Sequence, residues 1–205
     1  MSFILFDVGA NHGTDSIEKT KNNTDVITFA FEPTPMLYEK LINETVCIKD
    51  RYFVFKVAVS DFNGKSIFNI AGQADWGSSS LNTFVDNIQQ TWPNRPDLVA
   101  TESIEVDVIT MENFIDNICP IKISQIDFFH CDAQGSDLRV LQGFGEYISM
   151  IKEGVVEVPN NSEVKPYKES HTKEDTLKFL YENNFIISNI TNQMNEQNLY
   201  FKRIE

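Results

Sequence analysis

Phe3-Ile-Leu-Phe-Asp-Val-Gly-Ala-Asn-His-Gly13 places an apolar run, the acid Asp7 and two glycines close together near the start of the chain. This spacing predicts a strand that turns tightly and continues directly into a helix. Glycine tolerates positive φ and lets a ligand approach bare backbone, while the first turn of a helix offers unpaired N–H groups and a positive dipole end. We therefore expect a nucleotide-like ligand at this turn.

The glycine spacing distinguishes between classes of nucleotide. Asn11 stands where the dinucleotide pattern Gly-x-Gly-x-x-Gly has its second glycine, the residue that lets a pyrophosphate approach the backbone. A ligand that contains adenosine without phosphates fits this turn better.

A second acid follows the next predicted strand. Val26-Ile-Thr-Phe-Ala-Phe31 ends at Glu32, and open α/β sheets bind ribose hydroxyls through a carboxylate roughly 20 residues beyond the glycine turn. Asp7 and Glu32 would repel a pyrophosphate. They suit S-adenosylmethionine, because Asp7 can position its cationic amino-acid end and Glu32 can accept both ribose hydroxyls.

Composition excludes several classes of partner. The 205 residues carry a formal net charge of -13 and contain no Lys/Arg cluster longer than a pair, so we expect no nucleic-acid partner. No apolar run approaches the roughly 18 residues of a membrane helix, and we expect no membrane partner. The length predicts a single domain over residues 1–205. The chain begins with a strand rather than a secretory signal, which predicts a cytoplasmic location.

Strands and helices alternate along the chain, which favours a parallel sheet with both faces covered. Residues 51–59 form the third predicted strand, and residues 66–70 are predicted to return beside it as a hairpin. Ser60 and Asp61 stand at the tip of the third strand. One of them is a candidate for adenine contact, and a turn cap is the alternative.

A long irregular segment, residues 71–100, is rich in aromatic, serine and proline residues and is predicted to form a lid. Trp76, Trp92 and Tyr167 are candidates to stack on a sugar ring, with ordinary packing as the alternative for each.

Six motifs follow one another along nearly the whole chain: Asp7-Val-Gly-Ala-Asn-His-Gly13, Phe31-Glu-Pro33, Ala58-Val-Ser-Asp61, Ser78-Ser-Ser-Leu81, Ile126-Asp-Phe-Phe-His-Cys-Asp-Ala-Gln-Gly135 with Val140-Leu-Gln-Gly143, and Val156-Glu-Val158. In this order they resemble the FkbM-type S-adenosylmethionine-dependent methyltransferases. The resemblance implies a class I methyltransferase (Rossmann-like) α/β fold. Its seven-stranded sheet has the order 3-2-1-4-5-7-6, with strand 7 antiparallel and helices on both faces.

The resemblance also implies an activity, namely methyl transfer to a hydroxyl group of a sugar, a glycan or a small natural product. Carried over by position, it assigns the methionine end of the cofactor to Asp7, Gly9, Asn11 and Gly13. It assigns the ribose to Glu32, and the adenine to Ser60 or Asp61.

The acceptor side departs from the family pattern, which usually has lysine at His130 and glutamate at Gln134 and Asp137. A hydroxyl acceptor loses a proton near the transition state and needs a positioned base. Asp132 and His130, which share one face of their strand, are the leading candidates, followed by His171 and Glu157. The alternatives are a core histidine for His130 and a helix cap for Asp132.

Two other functions compete with methyl transfer. An NAD-dependent oxidoreductase would use a similar sheet, but Asn11 and the missing middle glycine disfavour it. A methyltransferase-like fold that binds a small molecule or partner without turnover is the second alternative. The sequence shows no cluster of metal ligands.

Overall fold

The computed structural model describes residues 2–72, 77–160, 165–193 and 196–204. The strands, in chain order, are β1 (Phe3–Val8), β2 (Val26–Phe31), β3 (Tyr52–Phe55), β4 (Ala58–Val59), β5 (Gly64–Ala71), β6 (Ala100–Ile109), β7 (Ile126–Cys131), β8 (Ile151–Pro159), β9 (Phe185–Asn192) and β10 (Glu196–Arg203). The α-helices are α1 (Thr14–Asn22), α2 (Pro35–Glu44), α3 (Ile88–Thr91), α4 (Met111–Asn113), α5 (Asp137–Gln142) and α6 (Lys173–Glu182). A π-helical turn, Phe114–Ile118, continues α4, and 3₁₀ turns cover Val46–Ile48 and Gly145–Met150.

Seven strands form the main sheet in the order β3-β2-β1-β7-β8-β10-β9. β1 lies at its centre and pairs in parallel with β2 and β7. β10 runs antiparallel between β8 and β9. Counted in chain order, these strands have the arrangement 3-2-1-4-5-7-6 with strand 7 antiparallel, so the predicted topology is confirmed.

The two faces of the main sheet carry different helices. Phe6 on β1 belongs to the larger core, which also contains Val140 of α5 and Leu180 of α6. On the opposite face, Ile17 of α1 and Leu41 of α2 belong to a smaller core. The prediction of helices on both faces is therefore confirmed. In the described ranges, no helix has the length and apolar character that crossing a membrane requires.

A cluster of aromatic rings packs below the carboxyl ends of β1, β2 and β3. The buried Phe114 ring makes edge-to-face contacts with Phe6, Phe31 and Phe55, with ring centroids 5.7, 4.9 and 4.9 Å away. Such pairs contribute about 0.5–1.5 kcal/mol each beyond the burial of their area. The cluster therefore fixes the ends of β1 and β2, which carry the predicted cofactor ligands.

The third predicted strand is the main correction to the fold. Residues 51–59 divide into β3, at the edge of the main sheet, and β4, which belongs to a second sheet of order β4-β6-β5. The predicted hairpin return is also wrong, because β5 pairs antiparallel with β6 rather than with β3. β6 lies between β4 and β5, so β5 cannot pair with the end of the third predicted strand as a hairpin would require.

Candidate active site

Three acids meet where the parallel strands end. Asp7 stands near the end of β1, Glu32 follows β2, and Asp132 follows β7. β1 pairs in parallel with both neighbours, so the carboxyl ends of all three strands lie at one edge of the sheet. The structure therefore brings together the predicted ribose ligand, the predicted methionine-end ligand and the leading candidate for the base.

The two glycines of the first turn are required by packing. Gly9 has φ +73°, and a Cβ atom there would lie 2.0 Å from the backbone oxygen of Asp132. Gly13 has φ +62°, and a Cβ atom there would lie 2.6 Å from Leu41 Cδ2. The loop after β7 thus covers the side of Gly9 on which a Cβ atom would lie, while Gly9 still lines both cavities. Between them, Asn11 adopts φ +50° without being glycine.

Glu32 holds the backbone of two loops through its carboxylate. Its Oε2 atom accepts a hydrogen bond from the Asn11 N–H at 2.8 Å, and its Oε1 atom accepts one from the Thr34 N–H at 2.8 Å. Burial raises the pKa of Glu32, although these bonds oppose the shift. Each oxygen keeps a further lone pair, so the carboxylate can still accept two hydroxyl groups from a ligand.

We call the cavity beside Glu32 the inner cavity. It is lined by Val8, Gly9, Asn11, Phe31, Glu32, Pro33, Thr34, Val57, Ala58, Val59, Phe68, Gly77, Ser79, Leu81, Asp132, Ala133, Gln134 and Ser136. A carboxylate on one side and an apolar wall on the other suit a ribose joined to a flat base.

Ser60 and Asp61, the predicted adenine contacts, do not line the inner cavity. Ser60 is fully buried and its Oγ atom donates to Asp61 Oδ1 at 3.1 Å. Val57, Ala58 and Val59 form the wall in their place.

A wider pocket of about 560 Å³, the outer pocket, opens beside the first. It is lined by Leu5, Asp7, Gly9, Ala10, Asn11, His12, Gly13, Thr14, Asp15, Ser16, Lys19, Phe128, His130, Cys131, Asp132, Val155, Gln193, Asn198 and Tyr200. Gly9, Asn11 and Asp132 line both cavities. Asp132 therefore stands at the junction of the two cavities. Gly13, another predicted cofactor contact, lines only the outer pocket.

His130 and Asp7 form an ion pair across β7 and β1. The His130 Nδ1 atom lies 2.8 Å from Asp7 Oδ1, and the two residues are direct neighbours in the strand pairing. Burial lowers the pKa of His130, but the hydrogen bond and charge of Asp7 outweigh it and leave the pKa at about 9. The imidazole is therefore protonated at neutral pH. A protonated imidazole cannot accept a proton, which disfavours His130 as the base.

Two acids, the half-buried Asp132 and the buried Glu157, flank the side chain of Gln134. The Gln134 Nε2 atom donates to Asp132 Oδ1 at 2.5 Å and to Glu157 Oε2 at 3.2 Å. Burial and the charge of Asp132 raise the pKa of Glu157 to about 11, so Glu157 is protonated and is not a base at neutral pH. Burial also raises the pKa of Asp132, whereas the bond from Gln134 and the charge of His130 lower it.

Gln134 also anchors the segment predicted to be a lid. Its backbone oxygen accepts from Ser80 Oγ at 2.7 Å and from Asn82 Nδ2 at 3.2 Å, and its Oε1 atom accepts from the Tyr167 hydroxyl at 2.7 Å. The sequence analysis missed this junction. Gln134 and Gly135 lie in the turn between β7 and α5, and both have positive φ, +49° and +82°.

The predicted aromatic platforms for an acceptor are not all accessible. Tyr167 is buried and its ring stacks on Phe84 with centroids 5.1 Å apart, so the packing alternative holds for this residue. Trp92 is half-buried and lines neither cavity. Trp76 lies outside the described residues.

Among the candidates for the base, His171 is half-buried and also lines neither cavity. In the described ranges, no three His, Cys, Asp or Glu side chains are arranged to hold a metal ion.

Comparison with solved structures gives matches over nearly the whole chain. The fibrillarin/Nop5p complex has a TM-score of 0.54 at 13% identity, covering 99% of this chain and 73% of that one. PH1948 from Pyrococcus horikoshii, provisionally described as an RNA methyltransferase, has a TM-score of 0.51 at 12% identity, covering 98% and 75%. TrmK of M. capricolum, solved with S-adenosylhomocysteine, has a TM-score of 0.50 at 11% identity, covering 98% and 62%. At these identities the matches show the fold.

No protein of curated function matches the sequence. The sequence model of the methyltransferase FkbM domain, however, matches residues 7–187, which include the carboxyl ends of β1, β2 and β7. The chain therefore belongs to the FkbM-domain methyltransferases, whose cofactor is S-adenosylmethionine.

Proposed function

We propose that this protein transfers the methyl group of S-adenosylmethionine to a hydroxyl group of a sugar, a glycan or a small natural product. The observation that carries the proposal is the position of Asp132, a carboxylate at the junction of the inner cavity and the outer pocket. An acceptor in the outer pocket would meet Asp132 beside the reacting end of the cofactor.

The two cavities suggest how the cofactor is held. The apolar wall of the inner cavity suits adenine, Glu32 suits the ribose hydroxyls, and the outer pocket at Asp7 suits the amino-acid end. One buried atom supports this fit: Asn11 Oδ1 has no partner within the described protein and lies at the border of both cavities. The bound cofactor supplies an electrophilic methyl group on a sulfonium.

Asp132 is the proposed base. Methyl transfer is an in-line displacement in which the enzyme aligns donor and acceptor, and the hydroxyl proton must pass to a nearby group. Gln134 orients the Asp132 carboxylate through the 2.5 Å bond. Burial raises its pKa, which makes it a stronger proton acceptor than an exposed aspartate. His130 and Glu157 are both protonated at neutral pH and cannot take this role.

Charge supports a small acceptor rather than a nucleic acid. The chain has a formal net charge of -13, and the outer pocket is lined by three acids, Asp7, Asp15 and Asp132, against two cations, Lys19 and His130. A phosphate backbone would be repelled here.

We further propose that residues 77–100 act as the lid, since Gly77, Ser79 and Leu81 line the inner cavity.

The test is methyl transfer from radiolabelled S-adenosylmethionine to a panel of sugars, glycans, phenols and RNA. We expect an O-methylated sugar, glycan or natural product with the wild type. Asp132→Asn should lower turnover by about 100-fold or more and leave the affinity for S-adenosylhomocysteine within about threefold. Asp25→Asn, which removes an exposed acid at the opposite end of β2, is the matched control and should keep full turnover.

Each other outcome of this experiment has a defined meaning. Full turnover by Asp132→Asn would remove Asp132 as the base. Methylated RNA without any methylated small molecule would overturn the proposed acceptor class. Cofactor binding without transfer to any acceptor would favour the binding-protein alternative.

A further inference from the structure

The ion pair of His130 and Asp7 in the outer pocket has the chemistry to hold a zwitterion. Resting on the proposed function, we infer that His130 binds the carboxylate of the cofactor's amino-acid end, beside Asp7, to which the family resemblance already assigns the ammonium side of that end. His130 thereby becomes a cofactor ligand instead of a base. This assignment gives a role to an imidazole that the proposed transfer step does not otherwise use.

The geometry leaves one ring nitrogen of His130 for a ligand. Nδ1 is held by Asp7 Oδ1 at 2.8 Å, while the His130 side chain keeps 43% of its surface exposed and lines the outer pocket. Nε2 is the ring's remaining donor. The Asp7 side chain is only 6% exposed and fixes the ring from the sheet side. The pair therefore presents a donor of fixed orientation, as a bound carboxylate requires.

The surroundings of the pair contain the complementary groups for both ends of a zwitterion. α1 begins directly beyond Gly13 without any side-chain cap, and the Thr14, Asp15 and Ser16 residues of its first turn line the same pocket. First-turn N–H groups lack intrahelical acceptors and favour an anion. For the ammonium group, Asp7 and the unpartnered Asn11 Oδ1 atom are acceptors.

Lys19 is the competing cation in the outer pocket. Its ammonium group lies 4.2 Å from the Phe3 ring centroid, at the start of β1, and 5.0 Å from that of Phe128. Phe3 precedes Asp7 by four residues, which is roughly 13 Å along a strand. Lys19 therefore lies toward the far end of the pocket, away from the glycine turn and Asp132.

The experiment compares three ligands by calorimetric titration. S-Adenosylmethionine carries both charged groups, decarboxylated S-adenosylmethionine lacks only the carboxylate, and 5′-methylthioadenosine lacks the whole amino-acid end. We expect wild type to bind S-adenosylmethionine about 10-fold or more tightly than the decarboxylated form, as a charge-assisted hydrogen bond implies. His130→Gln should abolish this preference and leave the affinity for 5′-methylthioadenosine within about twofold.

Two further variants separate a charge effect from a structural one. His130→Lys restores a cation and should recover most of the preference for the carboxylate. His171→Gln removes a histidine that lines neither cavity, and this control should change nothing. Circular dichroism and thermal unfolding of each variant verify that it is folded.

Several results would overturn the inference. Equal binding of the two forms of S-adenosylmethionine by wild type would show that no charge holds the carboxylate. An equal loss for all three ligands in His130→Gln would make His130 a structural residue. Loss of the preference in Lys19→Met, with His130→Gln unaffected, would assign the carboxylate to Lys19. If folded wild type bound none of the three ligands, the proposed cofactor would fail, and this inference would fail with it.

Discussion

At the scale of single residues, Glu32 combines a structural role with the predicted ribose contact. Its two oxygens each accept a backbone N–H, from Asn11 and from Thr34. We expect Glu32→Gln to weaken binding of S-adenosylhomocysteine by about 10-fold or more, because an amide turns one acceptor into a donor that opposes a backbone N–H. Calorimetric titration measures this change. Glu39→Gln, an exposed change on α2, is the control, and an unchanged affinity in Glu32→Gln would contradict the ribose assignment.

At the scale of elements, the hydroxyl group of Tyr167 holds the start of the proposed lid in place. The Tyr167 hydroxyl lies 2.9 Å from Ser78 O and 2.7 Å from Gln134 Oε1, so its single proton is shared between these two acceptors. Tyr167→Phe leaves both acceptors without this donor, so we expect the free energy of unfolding to fall by about 1–3 kcal/mol. Hydrogen exchange should also become faster in residues 77–83.

Tyr147→Phe is the matched control for this prediction. It removes the same hydroxyl from a tyrosine whose acceptor, the exposed Asp116, does not belong to the lid segment. Chemical denaturation and hydrogen-exchange mass spectrometry provide the two measurements. Unchanged exchange in residues 77–83 of Tyr167→Phe would show that other contacts hold the segment.

At the scale of the whole molecule, the buried acids predict that stability decreases as pH rises. Burial raises the pKa of Glu157 to about 11 and those of Asp137 and Glu196 to about 7. The folded state therefore retains protons that the unfolded state releases near pH 4, and stability must fall between about pH 4 and 7 and beyond. His130 acts in the same direction. The pKa of His130 is about 9 in the folded state and about 6.5 in the unfolded state, so the stability that its protonation contributes is lost as pH rises from about 6.5 through 9.

Thermal unfolding between pH 5 and 9 measures this dependence, and we expect Tm to fall by several degrees. Moderate salt screens the repulsion expected from the net charge of -13 and leaves the buried groups largely unscreened. Glu157→Gln should flatten the curve, because it removes the group with the largest proton difference. Glu102→Gln removes an exposed acid and should leave the slope unchanged. A Tm that is constant or rises with pH would contradict the prediction.

The fold and part of the candidate site could be predicted because their signals are local. An apolar strand, a glycine turn and an acid at the next strand tip lie within residues 3–32, and neighbouring parallel strands bring such tips together. The third strand could not be predicted correctly. Its division into β3 and β4 depends on β6, which begins about 40 positions later in the chain.

The sequence by itself determined the order of the main sheet, the family and the groups that meet at the carboxyl ends of β1, β2 and β7. Only the tertiary structure decided the protonation of those groups and their hydrogen-bond partners. His130 is a cation because Asp7, 123 positions away, lies 2.8 Å from it, and Asp132 and Glu157 meet through Gln134. Charge and pKa depend on burial and on neighbours in space, and a one-dimensional pattern of residue types contains neither.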